Sequence, residues 1–254
     1  MERIRLPLQG VGNIIRFNWH FYVFAFAIAL SLALLYPLLD GLPALTIKVL
    51  GFAIFATTVS SLLVSYYIYD FSALYELNWM PVISDADQKT IINIHAGFDE
   101  TSHLLVAKYP NAPLLVYDFY NPALHTEVSI RRASKAYPPF PGTVSIGTNH
   151  LPLSDHTAYY ILVMLAAHEI RNKEERVLFF RELKRALDCD GQIIVVEHLR
   201  DLPNFLAYTF GFFHFLSRQE WYSTFKQSEL HVAEEVKITP FITAFFLKKD
   251  GITT

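Results

Sequence analysis

The stretch IINIHAGFDETS, Ile91 to Ser102, joins an apolar run to the kind of turn that opens a nucleotide-binding βαβ unit, yet it carries a single glycine, Gly97. In such units the first strand ends in several glycines, because the backbone must turn sharply and let a ligand approach its N–H groups. Here His95 and Asp99 flank Gly97, so side chains stand where backbone room is usual. Asp99 and Glu100 open the helix expected next, where a negative charge favours the positive end.

Downstream of this loop, strand-like apolar runs alternate with polar, helix-like stretches, the pattern of an α/β fold with a largely parallel sheet. Strands are predicted at Ile91 to Ile94, Leu114 to Tyr117, Tyr160 to Leu165 and Gln192 to Glu197. Between the last two, Lys173 to Leu187 places Val177, Phe180, Leu183, Ala186 and Leu187 on one helical face with charges elsewhere. Asp190-Gly191 reads as the turn into the next strand. Val232 to Ile238 and Ile242 to Lys248, separated by Thr239-Pro240, suit a closing antiparallel pair.

Upstream, Phe21 to Leu39 and Val49 to Tyr69 contain no charged residue, and at 1.5 Å per residue each is long enough to cross a hydrocarbon layer of roughly 30 Å. The short turn with Asp40, Gly41 and Pro43 folds the second span back beside the first. Trp19, His20 and Tyr22 then share one membrane face with Tyr66, Tyr67 and Tyr69, as an aromatic belt. Arg3, Arg5 and Arg16 precede the first span and the turn lacks basic residues until Lys48. That bias predicts a cytoplasmic N-terminus and, after two spans, a cytoplasmic C-terminal domain at the inner membrane. A cleaved signal peptide fits less well, because the apolar run is long and a second follows at once, and a buried helical core hairpin is the other lesser reading. The expected organisation is a segment 1–16, a hairpin 17–69, a connecting stretch 70–90 that lies along the membrane surface, and a domain 91–254.

The chain of 254 residues is 52% apolar and 18% charged, with a formal net charge of −3. This composition excludes disorder and gives no basic field for nucleic acid. A lone cysteine, Cys189, excludes an intrachain disulfide and a zinc cluster of thiolates.

The segments LPLSD (Leu151 to Asp155), YYILVMLAAHEI, RVLFFRELKRALD and DGQIIVVEHLRD resemble class I S-adenosylmethionine-dependent methyltransferases, especially those acting on quinone precursors and lipid-like acceptors. The resemblance runs from Ile91 to Asp250. It implies a Rossmann-like sheet closed by an antiparallel pair, S-adenosylmethionine as cofactor, and a small hydrophobic or lipid-like acceptor. It also implies that Asp118, ending the second strand, holds the ribose hydroxyls. The first loop, with Asn93, His95 and Gly97, takes the methionine part, and Asn149 stands on the adenine side where the family usually has an acid.

Ligands in open α/β sheets sit at the carboxyl ends of strands. His95, His168 and His198 follow the first, fourth and fifth strands, and Glu169 and Glu197 adjoin two of them. His168 or His198 is the expected proton acceptor. Metal binding is the lesser reading of this set, and no ligand is assigned. Because strand residues alternate, only one of Glu197 and His198 is expected to face the pocket. The aromatic run Asn204 to Ser217 reads as either a core helix or a lid over an apolar acceptor. The expected function is membrane-anchored methyl transfer; the alternative is a non-catalytic domain of the same fold that binds a lipid or membrane partner.

Overall fold

The structure, a computed structural model, describes residues 5–82 and 89–250. Arg3, used above in the orientation argument, and residues 83–88 of the connecting stretch lie outside the described residues. Two long helices come first, α1 (Gln9–Leu35) and α2 (Gly41–Tyr66). The strands β1 (Ile91–His95), β2 (Leu114–Asp118), β3 (Val144–Ser145), β4 (Ala158–Met164), β5 (Leu187–His198), β6 (Leu230–Thr239) and β7 (Ile242–Lys249) form one sheet in the order β3-β2-β1-β4-β5-β7-β6. Strands β3 to β5 in that order run parallel, and β7 is antiparallel to both β5 and β6.

Helices α3 (Ser102–Lys108), α4 (Val128–Ala136), α5 (Lys173–Ala186), α6 (Leu202–Tyr208) and α7 (Arg218–Gln227) flank the sheet. One face packs Ile92, Ile94, Ile193 and Val195 against Phe179, Phe180, Trp221 and Phe225. The other packs Ile91, Leu162, Ile194 and Val196 against Ile68, Leu74, Leu77 and Met80. The first half of the connecting stretch therefore packs into the core through Leu74, Leu77 and Met80, around a short 3-10 turn, Ala73–Glu76.

Two local expectations are corrected. Asp190-Gly191 does not precede the strand: Leu187 pairs with Ala158 and Gln192 with Tyr160, so the residues between are a bulge inside β5. Gly191 is required there, because a Cβ would lie 2.8 Å from the Tyr159 carbonyl oxygen. The exposed two-residue β3 carries no period for a sequence reading to find.

The feet of the two long helices are tied together. No side chain of α1 caps its own N-terminus; the Asp70 carboxylate, just past α2, accepts from Gly10 N at 2.8 Å and Val11 N at 2.7 Å. A carboxylate at that end satisfies two orphan donors and meets the positive end of the helix dipole. Arg5 extends the tie, donating to Glu100 at 2.7 Å with its guanidinium 3.5 Å over the Tyr75 ring. Near the foot α1 kinks at Asn18, whose Nδ2 donates to Ile14 O. The helix thus begins well before residue 17, and its first turns pack on the α/β part. Beyond the feet, the apolar stretches of both helices are left uncovered by the other described residues, with Phe26 and Phe52 both about 70% exposed.

Gly10 marks the closest approach, since a Cβ there would stand 2.3 Å from Tyr69 Cβ. Gly10→Ala should therefore force the helix feet apart and cost about 1–3 kcal/mol, the usual penalty for overpacking. The check is a lowered thermal midpoint together with a changed Tyr69 ring environment in aromatic NMR spectra.

Candidate active site

The carboxyl ends of β1, β4 and β5 open into a cavity of about 210 Å³. Its floor is His95, His168, Glu169 and His198; its walls are Gly10, Ile14, Phe17 and Asn18 of α1, Tyr69, Phe98, Ile130 and Ala133 of α4, and Phe215. The three strand-end histidines thus meet in one chamber, and apolar residues from the helix feet roof it.

His198 and Glu197 divide as strand alternation requires. His198 faces the cavity, and Glu197, fully buried, reaches under the sheet edge to His168. Asn204 Nδ2 donates to Asp201 Oδ1 at 2.9 Å and to Phe241 O at 3.1 Å, so its Oδ1 must accept, and it accepts from His198 Nδ1 at 2.9 Å. That leaves Nε2 as an acceptor for the Tyr69 hydroxyl, 2.8 Å away. Burial pushes the His198 pKa down to about 4, with the neighbouring His168 charge adding to the effect and Asn204 opposing it. It is the neutral imidazole of the site.

His168 is its opposite. Burial disfavours its charge, but attraction to Glu197 and hydrogen bonds to Glu169 and Glu197 prevail and raise its pKa to about 10. Nδ1 meets Glu197 Oε2 at 2.6 Å and Nε2 meets Glu169 Oε1 at 3.2 Å. Burial alone would raise Glu169, yet its hydrogen bonds to His168 and His214 hold it well below the usual carboxylate range. Two histidines driven in opposite directions give the chamber one cationic ring and one neutral ring, the separation that acid and base roles need.

His95 is buried and lines the cavity, yet neither ring nitrogen has a hydrogen-bond partner among the described residues. Its Nδ1 lies 3.7 Å from Asp118 Oδ1, outside hydrogen-bond reach. Asn93, beneath it, donates to Ser102 Oγ at 2.9 Å and leaves its Oδ1 unpaired. Asp99 Oδ1 accepts from Thr101 N and Ser102 N at 3.0 and 2.9 Å, capping the start of α3 as its place in the loop suggests. Asp118 Oδ1 accepts from Gly97 N and Tyr120 N, both at 2.8 Å, which leaves Oδ2 available. Gly97 has φ +78°, and a Cβ there would lie 2.8 Å from Tyr120 Cγ, so both its conformation and its neighbour require glycine. Asn149 stands apart, exposed in the turn closed by Gly147 and His150.

The arrangement of strands decides the fold: five parallel strands with the first in the middle, then an antiparallel β7 inserted between β5 and the edge strand β6. The chain has the Rossmann-like methyltransferase fold. A crystal structure of a protein from Pyrococcus horikoshii superposes with a TM-score of 0.50, at 13% identity over 69% of this chain and 86% of its own. A structure described as a putative type 11 methyltransferase from Sulfolobus solfataricus shares 14% identity over 70% of this chain and 94% of its own, with a TM-score of 0.49. One described as a SAM dependent methyltransferase from Aquifex aeolicus shares 14% over 63% and 82%, with a TM-score of 0.47. No family profile matches the sequence, and no curated protein does.

Within the methyltransferase fold, the structure brings to the chamber residues that the sequence does not place there, among them Tyr69, expected in the aromatic belt. Tyr69 enters from the foot of α2, 129 residues before its partner His198. His214 and Glu127 meet at 3.0 Å beside Glu169. No local pattern announces such contacts, although an aspartate at position 70, directly after an uncharged span, signals that the span's end meets something polar.

Proposed function

We propose that this chain transfers a methyl group from S-adenosylmethionine to a small hydrophobic or lipid-like acceptor while anchored in a membrane by α1 and α2. The observation that carries the reading is the shared chamber: unpartnered polar groups of the sheet edge on one side, apolar helix feet on the other. When bound, S-adenosylmethionine supplies a methyl carbon activated by its sulfonium. Asp118 Oδ2 would accept the ribose hydroxyls, His95 and Asn93 would meet the amino-acid end beside Gly97, and Asn149 would flank the adenine side. Free buried ring nitrogens on His95 suit such a ligand, because an unpaired buried polar atom is costly until something bonds it.

The acceptor would lie against Ile14, Phe17 and Phe215, aligned with the methyl carbon; alignment is the larger part of the catalytic effect. A proton leaving the acceptor passes to the Tyr69 oxygen as Tyr69 passes its own to His198 Nε2, which is neutral and already oriented for it. The cationic His168 ring would steady negative charge developing on the acceptor. Membrane residence is supported by the two uncovered apolar helices and by the neighbouring aromatic run. Contrary to a simple core helix, that run exposes Leu206, Phe210 and Phe213, with Phe210 87% exposed, while His214 and Phe215 line the chamber. The expected setting is the inner membrane, with the α/β part on the cytoplasmic side.

Calorimetry of the full chain in detergent micelles with S-adenosylhomocysteine tests the cofactor: one equivalent should bind, and no binding overturns the proposal. Carbonate extraction of membranes tests the anchor, since an integral hairpin stays in the pellet and a surface-bound chain is released. A second reading is favoured by Tyr120, whose ring covers Gly97, and by the Gly97 N–H already bonded to Asp118. On that reading the fold binds lipid without catalysis, and lipid should co-purify with protein that ignores S-adenosylhomocysteine.

A further inference from the structure

Glu127, His214, Glu169, His168 and Glu197 form an alternating row of carboxylates and imidazoles from the surface to the core. In the middle of it, one ring nitrogen each of His168 and His214 and a Glu169 oxygen all lie within 4.8 Å of one another. Glu169 Oε1 is 3.2 Å from His168 Nε2 and 3.4 Å from His214 Nε2. Two ligands bound at roughly 2.0–2.1 Å in tetrahedral geometry sit about 3.3 Å apart, so the Glu169 oxygen already stands from each ring at the spacing that one ion imposes.

We infer that His168, Glu169 and His214 bind a divalent first-row metal ion of the Zn²⁺ or Fe²⁺ kind at the edge of the chamber. Two imidazoles and a carboxylate are the donor set such ions take when further positions stay open for water or substrate. All three residues line the cavity, so those open positions face it. The far nitrogen of each ring is held by a carboxylate, His168 Nδ1 by Glu197 at 2.6 Å and His214 Nδ1 by Glu127 at 3.0 Å. Carboxylates in that place fix the tautomer of ligating histidines and strengthen them as donors.

An independent sign points to a missing ligand. Glu169 is 3% exposed, and its Oε2 has no hydrogen-bond partner among the described residues. Charge agrees as well: the three glutamates outweigh Arg171 by two negative charges, which one divalent ion balances without any ring proton, the ion then replacing the His168 imidazolium as the positive charge that faces the acceptor. Arg171 is the competitor, its guanidinium resting against both His214 ring nitrogens, 2.8 Å from Nε2. It is an exposed side chain and can swing into solvent without losing buried contacts. An ion here would take an acceptor oxygen as a ligand, extending the proposed reaction toward hydroxyl- or carbonyl-bearing acceptors.

The test uses the full chain in micelles, stripped with a chelator, dialysed, and titrated with Co²⁺ alone. One equivalent should bind with visible d–d absorption and be displaced by Zn²⁺. His214→Ala and Glu169→Gln should each weaken binding at least 10-fold, and Glu127→Gln, which touches only the far nitrogen, by roughly 10-fold. His214 lies in a partly exposed turn, so His214→Ala remains informative should Glu169→Gln fail to fold. No stoichiometric uptake overturns the site, and so does uptake unchanged in these variants, which would assign the ion to exposed histidines such as His150 or His231. S-adenosylhomocysteine titration of the same samples reads the cofactor proposal separately: loss of the metal with retention of that binding overturns the metal site alone.

Discussion

Asp118→Asn is expected to weaken S-adenosylhomocysteine binding by about 10- to 100-fold and to leave the thermal midpoint nearly unchanged. The asparagine carbonyl can keep the bonds that Asp118 Oδ1 accepts from Gly97 N and Tyr120 N, so the loop stays in place. At Oδ2, however, an acceptor becomes an NH₂ donor facing hydroxyls. Hydrogen bonds to a charged partner are worth about 1.5–3 kcal/mol, and 1.4 kcal/mol is tenfold in affinity. Asp118→Ala removes both functions and should lower the midpoint as well, because two backbone N–H groups lose their acceptor. Calorimetry and thermal unfolding on the pair separate ligand binding from loop support. Wild-type affinity in Asp118→Asn would remove this carboxylate from the site.

Glu197→Ala should destabilise the chain by about 3–5 kcal/mol, the cost of stripping one partner from a buried ionic pair. Glu197 is fully buried and accepts from both the His168 backbone N–H at 3.2 Å and its Nδ1 at 2.6 Å. The truncation leaves both donors unpaired next to a void. For a chain of this size about 2–4 °C of midpoint accompanies each kcal/mol, so a drop of roughly 6–20 °C is expected in a melting curve. Glu197→Gln keeps the volume and one acceptor and should fall between the two. An unchanged midpoint in Glu197→Ala would show that His168 does not depend on this carboxylate.

The strands were legible where physics is local. Apolar runs marked β1, β2, β4 and β5, and the Thr239-Pro240 break marked the turn between β6 and β7. β3 was not legible, because two exposed residues bury nothing. At the site, His95 and His198 could be read because they end strands and His168 because it follows one closely, and a parallel sheet aligns its strand ends. Tyr69, His214 and Glu127 could not, since each reaches its partner only after helices from distant parts of the chain have packed. Gly10 was equally silent: its reason is a neighbouring backbone, invisible until α1 and α2 cross.

The chain of bonds from Tyr69 to His198 to Asn204 to the Phe241 carbonyl also sets an order of events during synthesis. Domains form as the N-terminal parts leave the ribosome first, so α1 and α2 emerge long before the residue that orients Asn204. Until Phe241 has been made and β7 has paired, His198 lacks the fixed tautomer that Tyr69 requires. A nascent chain arrested before β7 can hold both apolar helices and still have no working chamber.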